Sequence, residues 1–260
     1  MTVTFIAHSA YLVEWDRFYT LFDYTWEPDY TGALPALAED KPLLVFVSHS
    51  HEDHFDAKIF GLLDQHPDTR FFISRDIRLT ERKRKWLNIS DEAFARTTVL
   101  RHDSILLTEA AGEELSIRAI KSTDIGNAYL LRAEGKMVYH GGDLNWWHWE
   151  SEGKAYCGDM AAHYRAAIAK LASAVCNEAT DNGIAPELTA AMAPLDPRLG
   201  ESAEGLGLDY LMKNMRVRHV FPMHMWKKYE VIDRYVAAHP AQRDAVARIT
   251  AEGQVFALKD

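Results

Sequence analysis

The segment His49-Ser50-His51-Glu52-Asp53-His54 constrains this chain more than any other. It puts five side chains able to ligate a metal into six positions, directly after the apolar run Pro42–Val47 and Ser48. A strand sends alternate side chains to opposite faces and a helix spreads them around its axis, so neither turns all five toward one point. A loop at the end of a buried strand can converge most of them. With 12 histidines and 20 aspartates in 260 residues, the pattern HxHxDH arises by chance roughly 0.002 times per chain. A polar loop of solvated histidines is the competing reading. Imidazole nitrogen with carboxylate oxygen suits Zn²⁺, and also Fe²⁺ or Mn²⁺; no cysteine in the segment favours a thiolate site.

One such segment cannot complete two coordination spheres. His140-Gly141-Gly142-Asp143 follows an expected strand at Met137–Tyr139, and its glycines permit close backbone approach. Asp143 could then bridge two metals. Phe221-Pro222-Met223-His224 follows an expected strand at His219–Pro222 in the same way, which makes His224 a terminal ligand candidate. Singly, each is compatible with a turn aspartate or a core histidine.

Around these segments the pattern reads as strands at Thr2–Ile6, Ala10–Trp15, Phe18–Phe22, Leu43–Val47 and Phe71–Ser74. More strands are expected at Ile105–Thr108, Leu115–Ile120, Ala128–Arg132, Met137–His140 and Thr189–Ala193, with a hairpin turn at Glu134-Gly135. Val246–Thr250 and Val255–Leu258 read as a closing hairpin around Gly253. Helices are expected at Ala57–Gln65, Arg78–Leu87, Glu204–Met215 and Lys228–Ala238. From Met160, the stripe Tyr164, Ile168, Leu171 and Val175 marks an amphipathic helix. Without repeats or a Pro/Gly-rich linker, the chain reads as a single domain, 1–260, of two sheets covered by helices.

Taken together, HxHxDH after an early strand, Gly-Asp after a central hairpin and a late strand-end histidine resemble the metallo-β-lactamase superfamily over essentially the whole chain. Ile6-Ala7-His8-Ser9 and Leu21-Phe22-Asp23 look like the branch of lactone-hydrolysing and related cytoplasmic enzymes. The resemblance implies an α/β fold of the α+β kind, a four-layer αββα sandwich of two mixed sheets with metals at one edge. It implies that His49 and His51 ligate a first metal, that Asp53, His54 and His224 ligate a second, and that Asp143 bridges them. The family supplies a third histidine to the first metal from a loop that here reads Lys121-Ser122-Thr123-Asp124-Ile125-Gly126-Asn127. Asp124 is the expected oxygen substitute; a first metal held weakly or absent, with Asp124 only capping the turn, is the alternative.

His8 is expected to line the pocket and contact substrate, against a purely structural hydrogen-bonding role. Asp23 is expected to orient a histidine ligand or buttress the loop. In Asn145-Trp146-Trp147-His148-Trp149, Trp146 is the candidate for an aromatic wall over the metals; a core plug or dimer contact is the alternative. Arg198 could clamp an anionic group through its planar fork or make a surface ion pair. His102, His163 and His239 read as structural or surface residues.

Composition narrows the partners. The net charge of −9 disfavours a phosphate-backbone partner, so no nucleic acid is expected. No apolar run approaches the ~20 residues of a membrane span. Two cysteines cannot build a disulfide scaffold, which with no visible secretory signal suggests the cytoplasm. The expected activity is hydrolysis of an ester, lactone or phosphodiester of a small molecule. One or two divalent metals would activate the water, with zinc first and manganese or iron as alternatives, and Asp53 would relay a proton. A homo-oligomer is compatible with this reading. A metal-binding protein with a redox or sensing role and no hydrolytic activity is the alternative.

Overall fold

The computed structural model describes residues 1–26 and 29–258. The first sheet takes β1 (Thr2–Ala7), β2 (Ala10–Glu14), β3 (Tyr19–Phe22), β4 (Leu43–Val47), β5 (Thr69–Ser74) and β6 (Thr97–Leu100). The second takes β7 (Ile105–Ala110), β8 (Glu113–Lys121), β9 (Asn127–Ala133), β10 (Lys136–His140), β11 (Glu187–Pro194) and β12 (Arg216–Met223). β13 (Gln254–Ala257) returns to the free side of β1. Strands β3 to β6 run parallel, as do β10 to β12, while the remaining neighbours are antiparallel. Each sheet is therefore mixed.

The sequence explains the placing. All five residues of β4 are buried, as a strand covered on both faces requires. Phe46 meets Tyr129 of β9 with ring centroids 5.4 Å apart, and the Tyr129 hydroxyl donates to the Val47 carbonyl at 2.8 Å, which ties the two sheets face to face. The outer face of the first sheet packs on α1 (Leu62–Gln65), α3 (Asp91–Ala95) and a 3₁₀ turn at Ala57–Gly61, while α2 (Glu81–Trp86) buries no residue and meets this core only through its flanking Leu79 and Leu87. Helices α4 (Gly153–Asn182), α5 (Leu206–Asn214) and α6 (Glu230–Ala238) cover the second sheet. The expected stripe of Tyr164, Ile168, Leu171 and Val175 is the buried face of α4. The layers run helix, sheet, sheet, helix, as anticipated.

Two local readings need correction, and one segment had drawn no reading. Val246–Thr250 is not a strand of a closing hairpin: Val246 makes a single parallel bridge to Val220, and Gln254–Ala257 pairs with β1, whose edge would otherwise be bare. The helix expected at Ala57–Gln65 breaks into the 3₁₀ turn and α1. The segment Asp91–Leu100 holds a short helix and strand β6, which four or five residues of mixed polarity do not announce.

One buried ion cluster fastens α4 to the second sheet. Glu178 accepts from Arg118 Nε at 2.5 Å, Arg132 Nε at 3.0 Å and Ser116 Oγ at 2.8 Å. Glu178→Ala removes the carboxylate shared by two largely buried guanidinium groups, of which Arg132 keeps Glu114 at 2.5 Å, and stability is expected to fall by about 3 kcal/mol, the low end for breaking a buried pair. Urea unfolding of the variant checks this; a loss under 1 kcal/mol would show the arginines finding water instead.

The candidate metal centre

The chosen strand order brings one set of loops to a single edge. The carboxyl ends of β3, β4, β10, β11 and β12 lie there, with the β1–β2 and β8–β9 turns. Those positions carry Asp23, the His49–His54 loop, Asp143, Asp196, His224, His8 and Asp124. Ligands bind at the carboxyl ends of parallel strands because successive loops diverge there and leave a crevice. Backbone strain marks the same edge: His8, Asp23, His224, Trp226 and Lys227 all hold left-handed φ values between 43° and 64° without being glycine.

Two clusters of ligand atoms form. His8, Asp53, His54 and His224 make one, and His49, His51 and Asp143 the other, with ligand atoms inside each within 4.8 Å of one another. Asp143 faces both. Its Oδ1 lies 3.1 Å from His54 Nε2 and 3.1 Å from His224 Nε2, and its Oδ2 lies 3.6 Å from His49 Nε2. His54 Nε2 and His224 Nε2 are 3.3 Å apart, and each stands 3.6–3.7 Å from Asp53 Oδ2. Tetrahedral zinc with Zn–N bonds of 2.0–2.1 Å spaces its ligands by roughly 3.3–3.4 Å. The separations around Asp143 Oδ1 thus fit ligands that share a cation. That oxygen is buried and has no hydrogen-bond donor aligned on it, the state a carboxylate oxygen keeps when a metal is its partner.

Hydrogen bonds behind the histidines set which nitrogen faces inward. Asp23 accepts from the Ser48 backbone N–H at 2.7 Å and the Ser48 hydroxyl at 2.6 Å. With its proton given to Asp23, Ser48 Oγ accepts from His49 Nδ1 at 2.9 Å. His54 Nδ1 donates to Asp23 at 2.7 Å, and His224 Nδ1 donates to Asp196 at 2.9 Å. These bonds favour the tautomer with its proton on Nδ1 in all three rings, which turns Nε2 toward the cluster as a metal ligand needs. His140 is the contrast: it accepts from Gly142 N–H on Nδ1 and donates Nε2–H to the Ser9 carbonyl, so neither nitrogen is free.

The close packing behind the loop explains two glycines. A Cβ on Gly126 would lie 2.2 Å from Ser48 O, and one on Gly142 would lie 2.6 Å from Ser48 Cβ. Both also hold positive φ.

The charges of the site favour a cation between its members. Burial pushes His8 and His49 down to about 4, so both are neutral near pH 7. Burial opposes ionisation of Asp143, but His54 and His224 outweigh it and hold the carboxyl well below its usual range. Burial likewise opposes a charge on His54, yet Asp143 and Asp23 raise it. Asp53 is held down by its hydrogen bond with His8 and by His54 against the burial that would raise it.

The clusters floor a cavity of about 730 Å³ lined in part by His8, Tyr30, Trp147, Trp149, Trp226 and Arg198. Every residue expected as a ligand reaches this edge, though not equally. Asp124 Oδ2 lies 3.8 Å from His51 Nδ1, on the more exposed flank and outside the tight clusters. His8 is more central than a wall residue: its Nε2 is 3.2 Å from Asp53 Oδ2. Trp146 is a correction. It does not line the cavity; it packs toward α4 and α5, with Arg165 4.7 Å over its ring and Tyr210 at 5.8 Å. Trp147 and Trp149 form the wall instead, while Asn145 Oδ1 takes the Trp146 backbone N–H. Arg198 does line the cavity, but its fork grips Asp196.

Three contributors escaped the sequence reading. Tyr30 and Trp226 come from loops whose course no local pattern fixes. Asp196 had a usable signal, an acidic residue just past a strand end on the site's edge.

No protein-family model matches the chain, and no curated protein sequence does. Solved structures do match in fold. Igni18, a metallo hydrolase from the hyperthermophilic archaeon Ignicoccus hospitalis, aligns over 99% of this chain and 99% of its own at 17% identity and a TM-score of 0.57. YhfI from Bacillus subtilis, a metallo-β-lactamase fold protein, aligns over 98% and 99% at 13% identity and 0.55. CmlA, a diiron β-hydroxylase from Streptomyces venezuelae, covers 99% of this chain but only 54% of its own length, at 11% and 0.59. The chain therefore has the metallo-β-lactamase fold, shared with proteins named as metallo-hydrolases. Its edge carries a His/Asp cluster able to bind metal. Among the described residues no helix is long and apolar enough to cross a membrane.

Proposed function

We propose that this chain is a metal-dependent hydrolase acting on an ester, lactone or phosphodiester bond of a small molecule. The observation that carries the reading is Asp143, whose two oxygens face the two histidine clusters while Oδ1 stays buried without a donor. In this reading His49 and His51 hold one cation, Asp53, His54 and His224 hold the other, and Asp143 spans them. Divalent cations there, zinc first and manganese or iron next, supply Lewis acidity and a water acidic enough to ionise near neutral pH.

The chain's own residues do the rest. Trp147, Trp149, Trp226 and Tyr30 restrict water and present apolar surface to the substrate. Asp53 is held ionised and pinned by His8 at 3.2 Å, placed to take a proton and return it to the leaving oxygen. His8 thus orients the proton carrier. Metal analysis of the purified protein, with turnover of an aryl ester, a lactone and a phosphodiester before and after chelation, tests the proposal. Turnover that chelator abolishes and metal restores is the expected result; stoichiometric metal with no turnover of any of the three overturns it.

A specific feature favours the redox alternative enough to name it. Asp124 supplies a carboxylate where the resemblance leads one to expect histidine, and an oxygen-richer first site suits iron better than three imidazoles do. The fold also occurs in a protein named as a diiron hydroxylase. Asp124→Ala separates ligand from bystander. If Asp124 reaches the first metal, occupancy there is expected to drop from about one equivalent to well below half, and Asp124→His is expected to restore it with a shift toward zinc. Wild-type metal content in Asp124→Ala would make the residue a bystander in a turn whose backbone N–H is held by Ser122 Oγ.

A further inference from the structure

Asp196 sits between the metal cluster and the cavity wall, and its side chain is fully buried. Its Oδ2 accepts from His224 Nδ1 at 2.9 Å, from Arg198 Nη2 at 2.5 Å and from Trp226 Nε1 at 3.4 Å. Its Oδ1 accepts from the Arg198 backbone N–H at 2.9 Å and Arg198 Nε at 3.0 Å. The Arg198 guanidinium carbon in turn lies 4.3 Å from the Trp226 ring centre and 5.7 Å from that of Trp149. One carboxylate is therefore shared by a candidate ligand histidine, an arginine fork and the aromatic wall. The other backed histidine is built differently: Asp23 binds the neutral donors of Ser48 and no arginine.

We propose that Asp196 and Arg198 act as one positioning unit, coupling the Trp149–Trp226 wall of the cavity to the metal-facing nitrogen of His224. This rests on the reading of His224 as a ligand. The fork fixes the carboxylate from both oxygens, and the carboxylate fixes the rotation and tautomer of His224. Arg198 is then spent on Asp196 and on two ring faces, so its part is to set the wall and the ligand together rather than to clamp an anion. A lysine at 198 cannot reproduce the unit, because a point ammonium has no fork to hold two oxygens and no plane to stack.

The test is Zn²⁺ affinity by competition with a chromophoric chelator, alongside the visible absorption of the Co²⁺-loaded protein, which reads ligand geometry without turnover. In Asp196→Ala the Zn²⁺ at the His224 cluster is expected to bind about 10–100-fold less tightly. Arg198→Met, which keeps the apolar stem on the wall, is expected to weaken the same ion several-fold and shift the Co²⁺ bands, and Arg198→Lys is expected to leave both defects in place. Should Asp196→Ala fold poorly without metal, the part-exposed Arg198 variants still decide. Wild-type affinity and spectrum in Arg198→Met, or full rescue by Arg198→Lys, overturns the coupling while leaving the hydrolase reading intact. A wild-type chain that binds no Zn²⁺ or Co²⁺ overturns both.

Discussion

Asp143→Ala is expected to lose both metals, with content falling from the wild-type value to near zero and turnover dropping at least 10³-fold, about 4 kcal/mol at 1.4 kcal/mol per decade. The reason is positional. His54 Nε2 and His224 Nε2 stand 3.1 Å from one oxygen of Asp143, and His49 Nε2 stands 3.6 Å from the other. Removing that carboxylate deletes the only charge that, among the described residues, both clusters share, and leaves the first with two histidines. Any other single ligand belongs to one cluster, so its loss spares the other ion. Asp143→Asn sharpens the point. It keeps the volume but offers one neutral oxygen, so one ion is expected to survive with reduced affinity. Elemental analysis after dialysis reads both variants. Two equivalents of metal in Asp143→Ala would rule out a bridge at this residue.

Much of this edge was legible because its ligands come from short segments at strand ends. His49-Ser50-His51-Glu52-Asp53-His54 follows a strand whose unbroken apolar run already declared it buried on both faces. His140 to Asp143 and His224 follow strands in the same way, and the strand order does the gathering. What stayed hidden came from long connections. Tyr30 lies in the stretch between β3 and β4, where no periodicity constrains the path. Trp226 depends on consecutive left-handed residues that no residue type announces, since neither Trp226 nor Lys227 is a glycine. The misassigned Trp146 shows the limit of local reading: three tryptophans in four positions cannot share one side of a bending chain, and Trp146 is the one that packs on Tyr164 of α4 and Tyr210 of α5. The false hairpin at the carboxyl end failed for another reason. Both of its segments have strand character, but β1 offered a complete bare edge to the second and β12 offered one bridge to the first, so tertiary pairing overrode the local turn.

Asp23 offers a second large effect, and one that separates folding from metal binding. Its carboxylate is buried and accepts from Ser48 N–H, Ser48 Oγ and His54 Nδ1, all within 2.7 Å. Asp23→Ala leaves these donors unsatisfied in a dry place, at about 1–3 kcal/mol each when no water reaches them, so a stability loss of about 3–5 kcal/mol is expected. Asp23→Asn should behave differently. Its amide oxygen can still take the Ser48 N–H, which leaves the amide nitrogen facing Ser48 Oγ and His54 Nδ1. An N–H₂ there can only donate, so His54 must accept on Nδ1 and carry its proton on Nε2. That proton then points at Asp143 and takes the lone pair away from the cluster. Asp23→Asn is therefore expected to unfold in urea within about 1–2 kcal/mol of wild type, while Zn²⁺ affinity at the His54 cluster falls about 100-fold, the upper end for loss of a residue that orients a ligand. Chelator competition and urea titration on one preparation read the two effects separately. Wild-type zinc affinity in Asp23→Asn would mean that the His54 tautomer is set by something other than Asp23, and the same reasoning applied to His49 through Ser48 would fall with it.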